Sequence, residues 1–386
     1  MWKPEEIIIN EQVKDDPVTQ DLLNQCPGVP VRHVDSGTQE AIKQASNCLK
    51  NANSDMLSTI LAGKKVVYVA PAGSAVDVFM MPDSRMKCPE FDKITFASNG
   101  CYFQCDWCYL KLTYRAARPF IMIRTQYDLI KKQILKRLNQ TNDPVMFNCG
   151  EMADSLALEH LTNTGREFIP WFGQTKNGYL YMLTKSDNVD NILNLKHNGH
   201  TYVTWSMNNA HVSRKYEVGA PTFERRLNAA HRVQQAGYPV RIRLDPIVPF
   251  DGWQDAYAET IDRIFETVNP DRITLGTLRF ERQFYNMRHS IFTTGPDLPN
   301  FLEEMTPMFP PMKVKDKKGK EKTKVGKYSF SASKRVKIFK FAIDRIRQHS
   351  DCKIALCKES ADVWNQVGLD LSKCGCVCQY DTVDMT

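Results

Sequence analysis

Long apolar runs are missing from this sequence of 386 residues. No stretch reaches the roughly 18 consecutive apolar residues that a membrane-spanning helix needs. The first residues, MWKPEEIIINEQ, also lack the apolar core and basic flank of an export signal. Hydrophobic residues make up 42% of the chain and charged residues 25%, which is typical of a globular protein. We therefore expect a cytoplasmic protein without membrane segments.

Net charge is scarce outside one segment. The formal net charge is +7 at pH 7, and the segment KVKDKKGKEKTKVGK at 313–327 holds eight lysines against two acidic residues. A lysine run of this kind is either a solvated loop or a loop that contacts phosphates, and both interpretations stay open. Because the rest of the chain is close to neutral, any site for a polyanion should be local.

Strand patterns alternate with helix patterns along residues 91–290. Runs rich in β-branched and aromatic residues predict strands, and apolar residues at helical spacing fill the segments between them, including 188–199. This alternation predicts a parallel sheet with right-handed crossovers. The fold class is therefore α/β, with an open partial (β/α)6 barrel. The six predicted barrel strands are DKITFASNG, PVMFNCGE, GYLYMLTKS, TYVTWSMN, PVRIRLDPIVP and DRITLGTLRF.

Three further segments flank the predicted barrel. Residues 1–90 are expected to form a small N-terminal α/β lobe, and residues 291–350 a basic loop with a closing helix. Residues 351–386 form a cysteine-rich C-terminal extension. The strands predicted in the lobe are EIIINEQ and KKVVYVAP. In parallel α/β sheets the reactive residues lie at the carboxyl ends of the strands, so the site is expected there.

Seven of the twelve cysteines fall in two groups. In a large chain without an export signal, grouped cysteines indicate metal ligands or thiols rather than disulfides. The first group, Cys101, Cys105 and Cys108, follows the first barrel strand, and no fourth cysteine or histidine lies nearby. Three thiolates would leave one iron of a [4Fe–4S] cluster open for a substrate or cofactor. A zinc or disulfide site with a distant fourth ligand is the alternative.

The Cys-x3-Cys-x2-Cys spacing after a barrel strand resembles the signature of the radical S-adenosylmethionine enzymes. Longer stretches, over about residues 5–355, resemble the spore photoproduct lyase family in sequential order. The resemblance implies that S-adenosylmethionine binds the open iron and is cleaved to a 5′-deoxyadenosyl radical, which acts on a thymine photoproduct in DNA. The stretches that carry it are EIIINEQVKDDPVTQDLL, KHNGHTYVTWSMN, GAPTFERRLNAAHRVQQAGYPVRIRLDPIVPFDGW, ITLGTLRF and GKYSF.

The resemblance also implies roles for single residues. The three grouped cysteines would hold the [4Fe–4S] cluster, and Tyr109 would lie beside the cofactor. Glu151 would face the methionine ammonium group as a charge-assisted pair. Solvated or structural roles are the alternative for Glu151, Lys185 and Ser206. The implied cofactor contacts are Gly150, Glu151, Lys185, Ser206 and Asn208.

One position departs from the family pattern. The lyases return a hydrogen atom to the product from a cysteine after the second strand, and here that position falls at Glu151. Cys149 lies two residues earlier, and we favour an orientation into the barrel from which its thiol could donate. A buried strand thiol without a role in the reaction is the alternative.

The second cysteine group lies in the C-terminal extension, largely beyond the family resemblance. An auxiliary iron–sulfur cluster, a structural zinc and redox or uncommitted thiols are the three interpretations of this group. The Cys-x-Cys spacing is narrow for a zinc knuckle, whose ligands are usually separated by two or more residues. The candidate ligands are Cys357, Cys374, Cys376 and Cys378.

A nucleic-acid substrate with its reacting base turned out of the stack is a further implication of the resemblance. An external electron donor such as flavodoxin or ferredoxin and a monomeric state are also expected. The competing hypotheses are a radical enzyme that modifies another nucleic acid, a peptide or a small molecule, and a non-catalytic iron–sulfur or zinc protein that binds nucleic acid. The candidate phosphate contacts are Arg279, Arg282, Lys317, Lys318 and Lys320.

Overall fold

A computed structural model describes residues 1–53, 55–113, 118–293, 300–315, 321–324 and 326–385. Its strands are β1 Glu6–Asn10, β2 Val31–Val34, β3 Val66–Ala70, β4 Val76–Phe79, β5 Met86–Lys87, β6 Phe91–Ile94, β7 Ala97–Ser98, β8 Ile121–Arg124, β9 Val145–Asn148, β10 Gly178–Thr184, β11 Thr201–Met207, β12 Val240–Ile247, β13 Arg272–Thr277, β14 Thr306–Pro307, β15 Met312–Lys315, β16 Glu321–Lys324, β17 Tyr328–Ser329, β18 Lys353–Leu356 and β19 Glu359–Ser360.

The α-helices lie mainly between the strands of the sheets. They are α1 Pro17–Gln25, α2 Gln39–Ala45, α3 Asn47–Lys50, α4 Met56–Gly63, α5 Leu110–Thr113, α6 Tyr127–Leu138, α7 Glu159–Thr162, α8 Thr164–Phe172, α9 Ala210–Tyr216, α10 Phe223–Gln235, α11 Trp253–Thr267, α12 Arg282–Ile291, α13 Ala332–Arg347 and α14 Ala361–Gln366. Every helix among the described residues is too short or too polar to cross a bilayer.

The main sheet has eight strands in the order β18-β13-β12-β11-β10-β9-β6-β4. All neighbours pair in parallel except β4, which pairs antiparallel with β6 at one edge. The order confirms the alternating α/β architecture and the six predicted barrel strands, which are β6 and β9 to β13. Within the described residues the outer strands β18 and β4 do not pair with each other, so the barrel is open.

The N-terminal lobe has its own sheet, in the order β2-β1-β3-β8-β7. The two strands predicted for the lobe are β1 and β3, which pair in parallel. The lobe also takes β7 and β8 from beyond residue 90, whereas β4, from before it, joins the main sheet. The two sheets therefore exchange strands across the boundary predicted at residue 90, and β7 delivers the cysteine loop from the lobe to the barrel.

The helix predicted over 188–199 is wrong, because this segment forms turns. The backbone N–H of Ile192 donates to the carbonyl of Val189, and the Asn188 amide donates to the carbonyl of Leu156. Asn and Asp side chains compete for backbone hydrogen bonds and so disfavour a helix interior. Val189 and Ile192 are nevertheless fully buried, which explains why their spacing resembled a helix.

The C-terminal extension lies against the barrel interior. Arg241 on β12 donates from Nη1 to the carbonyls of Val377 and Gln379, at 2.7 and 2.8 Å. The same Nη1 lies 3.8 Å from Met146 Sδ on β9, and two strands separate β9 from β12 in the sheet. A contact across these strands is made only on the concave face. The tail therefore fills the inside of the barrel, while β18 extends the sheet beside β13.

Replacing Arg241 with leucine should destabilise the protein and release the tail. The variant leaves two tail carbonyls without their buried donor, so we expect the free energy of unfolding to fall by about 2–5 kcal/mol. Hydrogen exchange should show faster exchange at residues 374–385. The control is Arg263→Leu, which breaks an exposed pair with Glu224 and should cost about 1 kcal/mol or less. Equal losses in the two variants would contradict the proposed hold on the tail.

Candidate active site

The loop that carries the three grouped cysteines begins with a tight backbone approach. Gly100 pairs with Ala153 in an isolated bridge, and a Cβ atom at Gly100 would lie 2.4 Å from the Cβ of Ala97. Only glycine fits at that distance. Asn99, with φ of 50°, donates from Nδ2 to the carbonyls of Arg118 and Pro119 at 3.0 Å. The bridge to Ala153 brings the loop against the segment that follows β9, and the Asn99 hydrogen bonds fix its start against the chain that enters β8.

The middle of the loop is held by the end of α9. The backbone N–H of Gln104 donates to the carbonyl of Val218, and that of Asp106 to the carbonyl of Tyr216, both at 2.8 Å. The Asp106 carboxylate is fully buried and accepts hydrogen bonds from Thr293 at 2.6 and 2.7 Å. The loop backbone is therefore fixed independently of any group that the cysteines bind.

The three thiols of the loop lie close enough to influence one another. Burial raises the pKa of Cys101 well above its ordinary value and that of Cys105 to about 12, and the neighbouring cysteines contribute to both shifts. Cys101 and Cys105 are thus protonated near neutral pH, and bound iron would favour their thiolates. Three buried or half-buried thiols held on a fixed loop fit a [4Fe–4S] cluster with one open iron.

The segment after β9 meets this loop through Tyr109, whose hydroxyl donates to the backbone carbonyl of Glu151. A Cβ atom at Gly150 would lie 2.7 Å from the Cβ of Leu183, so the close packing on β10 requires glycine there. The Glu151 carboxylate lies 3.7 Å from Lys358 Nζ. Sequence reasoning missed Lys358, because it lies in the C-terminal extension and no local pattern connects it with β9.

Lys185 and Ser206, predicted separately, are brought together. Lys185 Nζ donates to Ser206 Oγ at 2.7 Å and lies 3.6 Å from Glu217 Oε1. Glu217 is fully buried, and although burial raises its pKa, Arg226 and Lys185 hold that pKa below its ordinary value. Glu217 and Lys185 also act on the pKa of Cys105, which places this group beside the cysteine loop. Glu217 is a site residue that no sequence motif indicated.

The side chain of Asn208 forms hydrogen bonds that hold neighbouring elements of the barrel together. Its side chain is nearly inaccessible to solvent, its Nδ2 donates to the carbonyl of Pro246 at 3.0 Å, and its Oδ1 accepts from the Tyr257 hydroxyl at 2.7 Å. These hydrogen bonds tie the end of β11 to the end of β12 and to α11. A direct contact of Asn208 with the cofactor stays a prediction.

Cys149 points away from the barrel interior, contrary to the orientation favoured from sequence. Its thiol lies 3.3 Å from Ser155 Oγ and 3.4 Å from the carbonyl of Tyr181. By strand alternation Cys149 shares a side with Phe147, whose ring packs on Phe172 of α8. Burial raises the pKa of Cys149 to about 12. The thiol is therefore part of the layer between sheet and helices.

Arg279 lies inside the barrel and not on a phosphate-binding surface. Its Nη2 donates to Asp245 Oδ2 at 3.0 Å, and Arg243 donates to the same oxygen at 2.7 Å. Burial raises the pKa of Asp245, but the two guanidinium groups outweigh it and hold that pKa well below its ordinary value. This pairing argues against the predicted phosphate contact. Arg282 is exposed at the start of α12.

The remaining predicted nucleic-acid contacts, Lys317, Lys318 and Lys320, lie outside the described residues. They belong to the segment that joins β15 and β16, which pair as an antiparallel hairpin. Lys313 on β15 is 80% exposed in its side chain. The described strands on either side of these three lysines thus pair with each other, and contact of the lysine-rich segment with a polyanion stays a prediction.

Only three of the four cysteines predicted as tail ligands meet at one place. Cys357, Cys376 and Cys378 line a small pocket, and the fourth cysteine in that pocket is Cys88. Cys374 is fully buried but does not line this pocket, and its backbone pairs with Val383. No three His, Cys, Asp or Glu side chains of the described residues are placed to hold a single metal ion.

A three-thiol loop at the carboxyl edge of an open parallel sheet defines the radical S-adenosylmethionine class. The family model for spore photoproduct lyase matches residues 86–354, so this chain belongs to the spore photoproduct lyase family. The family recognised from the sequence is thereby confirmed.

Relatives with curated descriptions agree with this assignment. A spore photoproduct lyase of a Geobacillus species is 31% identical over 185 residues, which are 48% of this chain and 53% of that protein. The Bacillus subtilis spore photoproduct lyase is 26% identical over 264 residues, or 68% of this chain and 72% of that protein. The first alignment thus spans about half of the relative's length.

Solved structures show the same fold. A spore photoproduct lyase complexed with dinucleoside spore photoproduct superimposes with a TM-score of 0.74 at 21% identity, covering 92% of this chain and 98% of that chain. A mutant lyase with bound AdoMet and dinucleoside spore photoproduct gives a TM-score of 0.73. The open partial barrel predicted from the sequence is confirmed by this likeness.

Replacing Cys149 with alanine should leave S-adenosylmethionine cleavage intact. Because the thiol packs between sheet and helices, the variant should lose only about 1 kcal/mol of stability, from a small cavity and a lost weak hydrogen bond. The measurements are 5′-deoxyadenosine release from the reduced protein and the thermal unfolding midpoint. Loss of cleavage, or abnormal products from a correctly folded variant, would show that Cys149 takes part in the reaction.

Proposed function

We propose that this protein is a radical S-adenosylmethionine lyase that reverses a thymine photoproduct in DNA. The observation that carries the proposal is the contact between the cysteine loop and the end of β9, where Tyr109 meets Glu151. This contact places the three-thiol loop beside Gly150 and Glu151, the segment expected to receive the methionine ammonium group. Membership of the lyase family supports the same reaction class.

The residues of this chain would bind and orient the reactants. The cluster with S-adenosylmethionine, when bound, supplies an electron and a 5′-deoxyadenosyl radical. Glu151 would pair with the methionine ammonium group, and Lys185 and Ser206 would contact its carboxylate and the ribose. In this structure the Glu151 carboxylate forms an ion pair with Lys358. We therefore infer that, when the cofactor binds, Lys358 either moves away or remains paired with the carboxylate beside the ammonium group.

The hydrogen atom that completes the reaction must come from another residue than Cys149. The orientation of that thiol toward Ser155 separates it from the barrel interior. We therefore propose Tyr109 or a thiol of the C-terminal extension as the donor. Tyr109 has 47% of its surface exposed, and its hydroxyl already faces the backbone of Glu151.

A second candidate function is a radical reaction on another substrate. It is favoured by Glu151, which occupies the position of the family's donor cysteine and forms an ion pair with Lys358. A charged pair in place of a thiol changes the chemistry next to the substrate radical. Another nucleic acid, a peptide or a small molecule would then take the place of the lesion.

Further parts of the proposal concern partners. We propose that DNA binds at the carboxyl edge of the sheet, that flavodoxin or ferredoxin supplies electrons, and that the protein acts as a cytoplasmic monomer. A second metal centre at the C-terminal cysteines also belongs to the proposal, because three of them converge on one pocket.

Anaerobic assays with damaged DNA test the reaction. The reduced protein with S-adenosylmethionine should release 5′-deoxyadenosine and should return thymine from DNA that contains spore photoproduct. The control replaces Cys101, Cys105 and Cys108 with alanine and should abolish both. Cofactor cleavage without thymine recovery would favour the second candidate function, and no cleavage by the iron-loaded protein would exclude both radical reactions.

Charge reversal in the lysine-rich segment tests DNA binding. Replacing Lys317, Lys318 and Lys320 with glutamate should weaken binding to duplex DNA and lower the slope of log affinity against log salt by about 3, because fewer counterions are released. The matched control reverses the exposed Lys132 and Lys136 on α6. An unchanged affinity and slope in the variant of Lys317, Lys318 and Lys320 would mean that these three lysines are only solvated.

A further inference from the structure

Four cysteines from three separate parts of the chain line one pocket inside the barrel. Cys88 follows β5, Cys357 follows β18, and Cys376 and Cys378 lie in the tail that enters the barrel. The pairing of β5 with β19 is antiparallel, with Lys87 opposite Glu359, and it brings Cys88 to the chain that follows Cys357. Such long-range convergence is unexpected for thiols without a common function.

The two tail thiols are in polar contact with each other, and Cys376 also contacts the sheet. Cys376 Sγ and Cys378 Sγ lie 3.1 Å apart, a distance at which the two sulfurs share a proton. Thr274 Oγ1 lies 3.7 Å from Cys376 Sγ. The two tail sulfurs and the sheet are thus in direct contact at the pocket.

Two cations face the same pocket. Arg243 Nη2 lies 2.9 Å from Cys357 Sγ, and Lys358 lines the pocket beside it. Arg243 also forms an ion pair with Asp245, and Lys358 forms one with Glu151. The two carboxylates therefore offset part of the positive charge at the pocket. Burying cations next to protonated thiols is unfavourable, whereas an anionic group between them would be stabilised.

We propose that Cys88, Cys357, Cys376 and Cys378 hold a second iron–sulfur cluster inside the barrel. Four thiolates give such a cluster a net negative charge, which suits Arg243 and Lys358. Each thiol loses its proton to solvent when it binds iron. The Cys-x-Cys spacing of the tail disfavours a tetrahedral zinc knuckle. Cys374, the ligand expected from the sequence, packs outside the pocket and is replaced by Cys88.

Glu151 connects this second site with the cofactor site. Its backbone carbonyl accepts a hydrogen bond from Tyr109, directly after the third cysteine of the loop, and its carboxylate pairs with Lys358, directly after Cys357. A cluster bound in the pocket would therefore share its nearest cation with the carboxylate that is proposed to receive the methionine ammonium group.

This inference rests on the second metal centre of the proposed function and specifies its ligands. Iron content tests it without turnover, so its failure is separate from failure of the proposed lyase reaction. In the full-length chain with Cys101, Cys105 and Cys108 replaced by alanine, anaerobic reconstitution should leave about four iron and four sulfide per chain. Further replacement of Cys88 or Cys357 with serine should reduce the iron several-fold. The matched controls, Cys374→Ser and Cys352→Ser, should retain it. Circular dichroism shows whether each variant is folded.

Electron paramagnetic resonance of the reduced triple variant gives an independent readout. With all four irons bound by thiolates, added S-adenosylmethionine should leave the spectrum unchanged. No residual iron, zinc without sulfide, or a signal that shifts with S-adenosylmethionine would each overturn the proposal. Iron that survives Cys88→Ser and is lost in a folded Cys374→Ser variant would restore the ligand set expected from the sequence.

Discussion

Guanidinium groups inside a barrel require acceptors, and Arg241 and Arg243 impose this requirement on the inner face of β12. Burying either group without partners would cost several kcal/mol. Arg241 is satisfied by Asp271 and by the carbonyls of the tail, at distances near 3 Å. Arg243 is satisfied by Asp245 and by the sulfur of Cys357. The tail and the sheet are therefore a single folding unit, and the extension is part of the barrel core.

The same requirement positions the two chemical regions of the molecule. Because Cys357 lies against Arg243, the next residue, Lys358, reaches the carboxylate of Glu151 at the carboxyl edge of the sheet. Glu151 in turn contacts Tyr109 of the cysteine loop through its backbone. A chain of polar contacts thus runs from Cys357 inside the barrel to the cysteine loop. This arrangement ties the family's catalytic edge to a segment that the family resemblance leaves out.

Sequence patterns predicted the features that depend on residues close together in the chain. The six barrel strands and the cysteine loop follow from apolar alternation and cysteine spacing. The family resemblance indicated Lys185 and Ser206 separately, without their contact. Glu217, Lys358 and Cys88 were missed, because each reaches its site through pairing with residues far away in the sequence. The helix predicted at 188–199 failed for a different reason. Its buried apolar residues are spaced as in a helix, but its Asn and Asp side chains favour turns.

The contacts of the tail also impose an order of assembly. The Gln379 side chain donates to the carbonyl of Glu90, which is 289 residues away along the chain. The Gln379 carbonyl accepts from Arg241, and these two residues are 138 positions apart. At a synthesis rate of about 5–20 residues per second, the 138 residues from Arg241 to Gln379 take roughly 7–28 s. During this interval the guanidinium group of Arg241 lacks the two tail carbonyls that accept its hydrogen bonds. The inner face of β12 therefore completes its buried hydrogen bonds only after residues 377–379 have been translated, so this part of the core cannot fold while the chain is still growing.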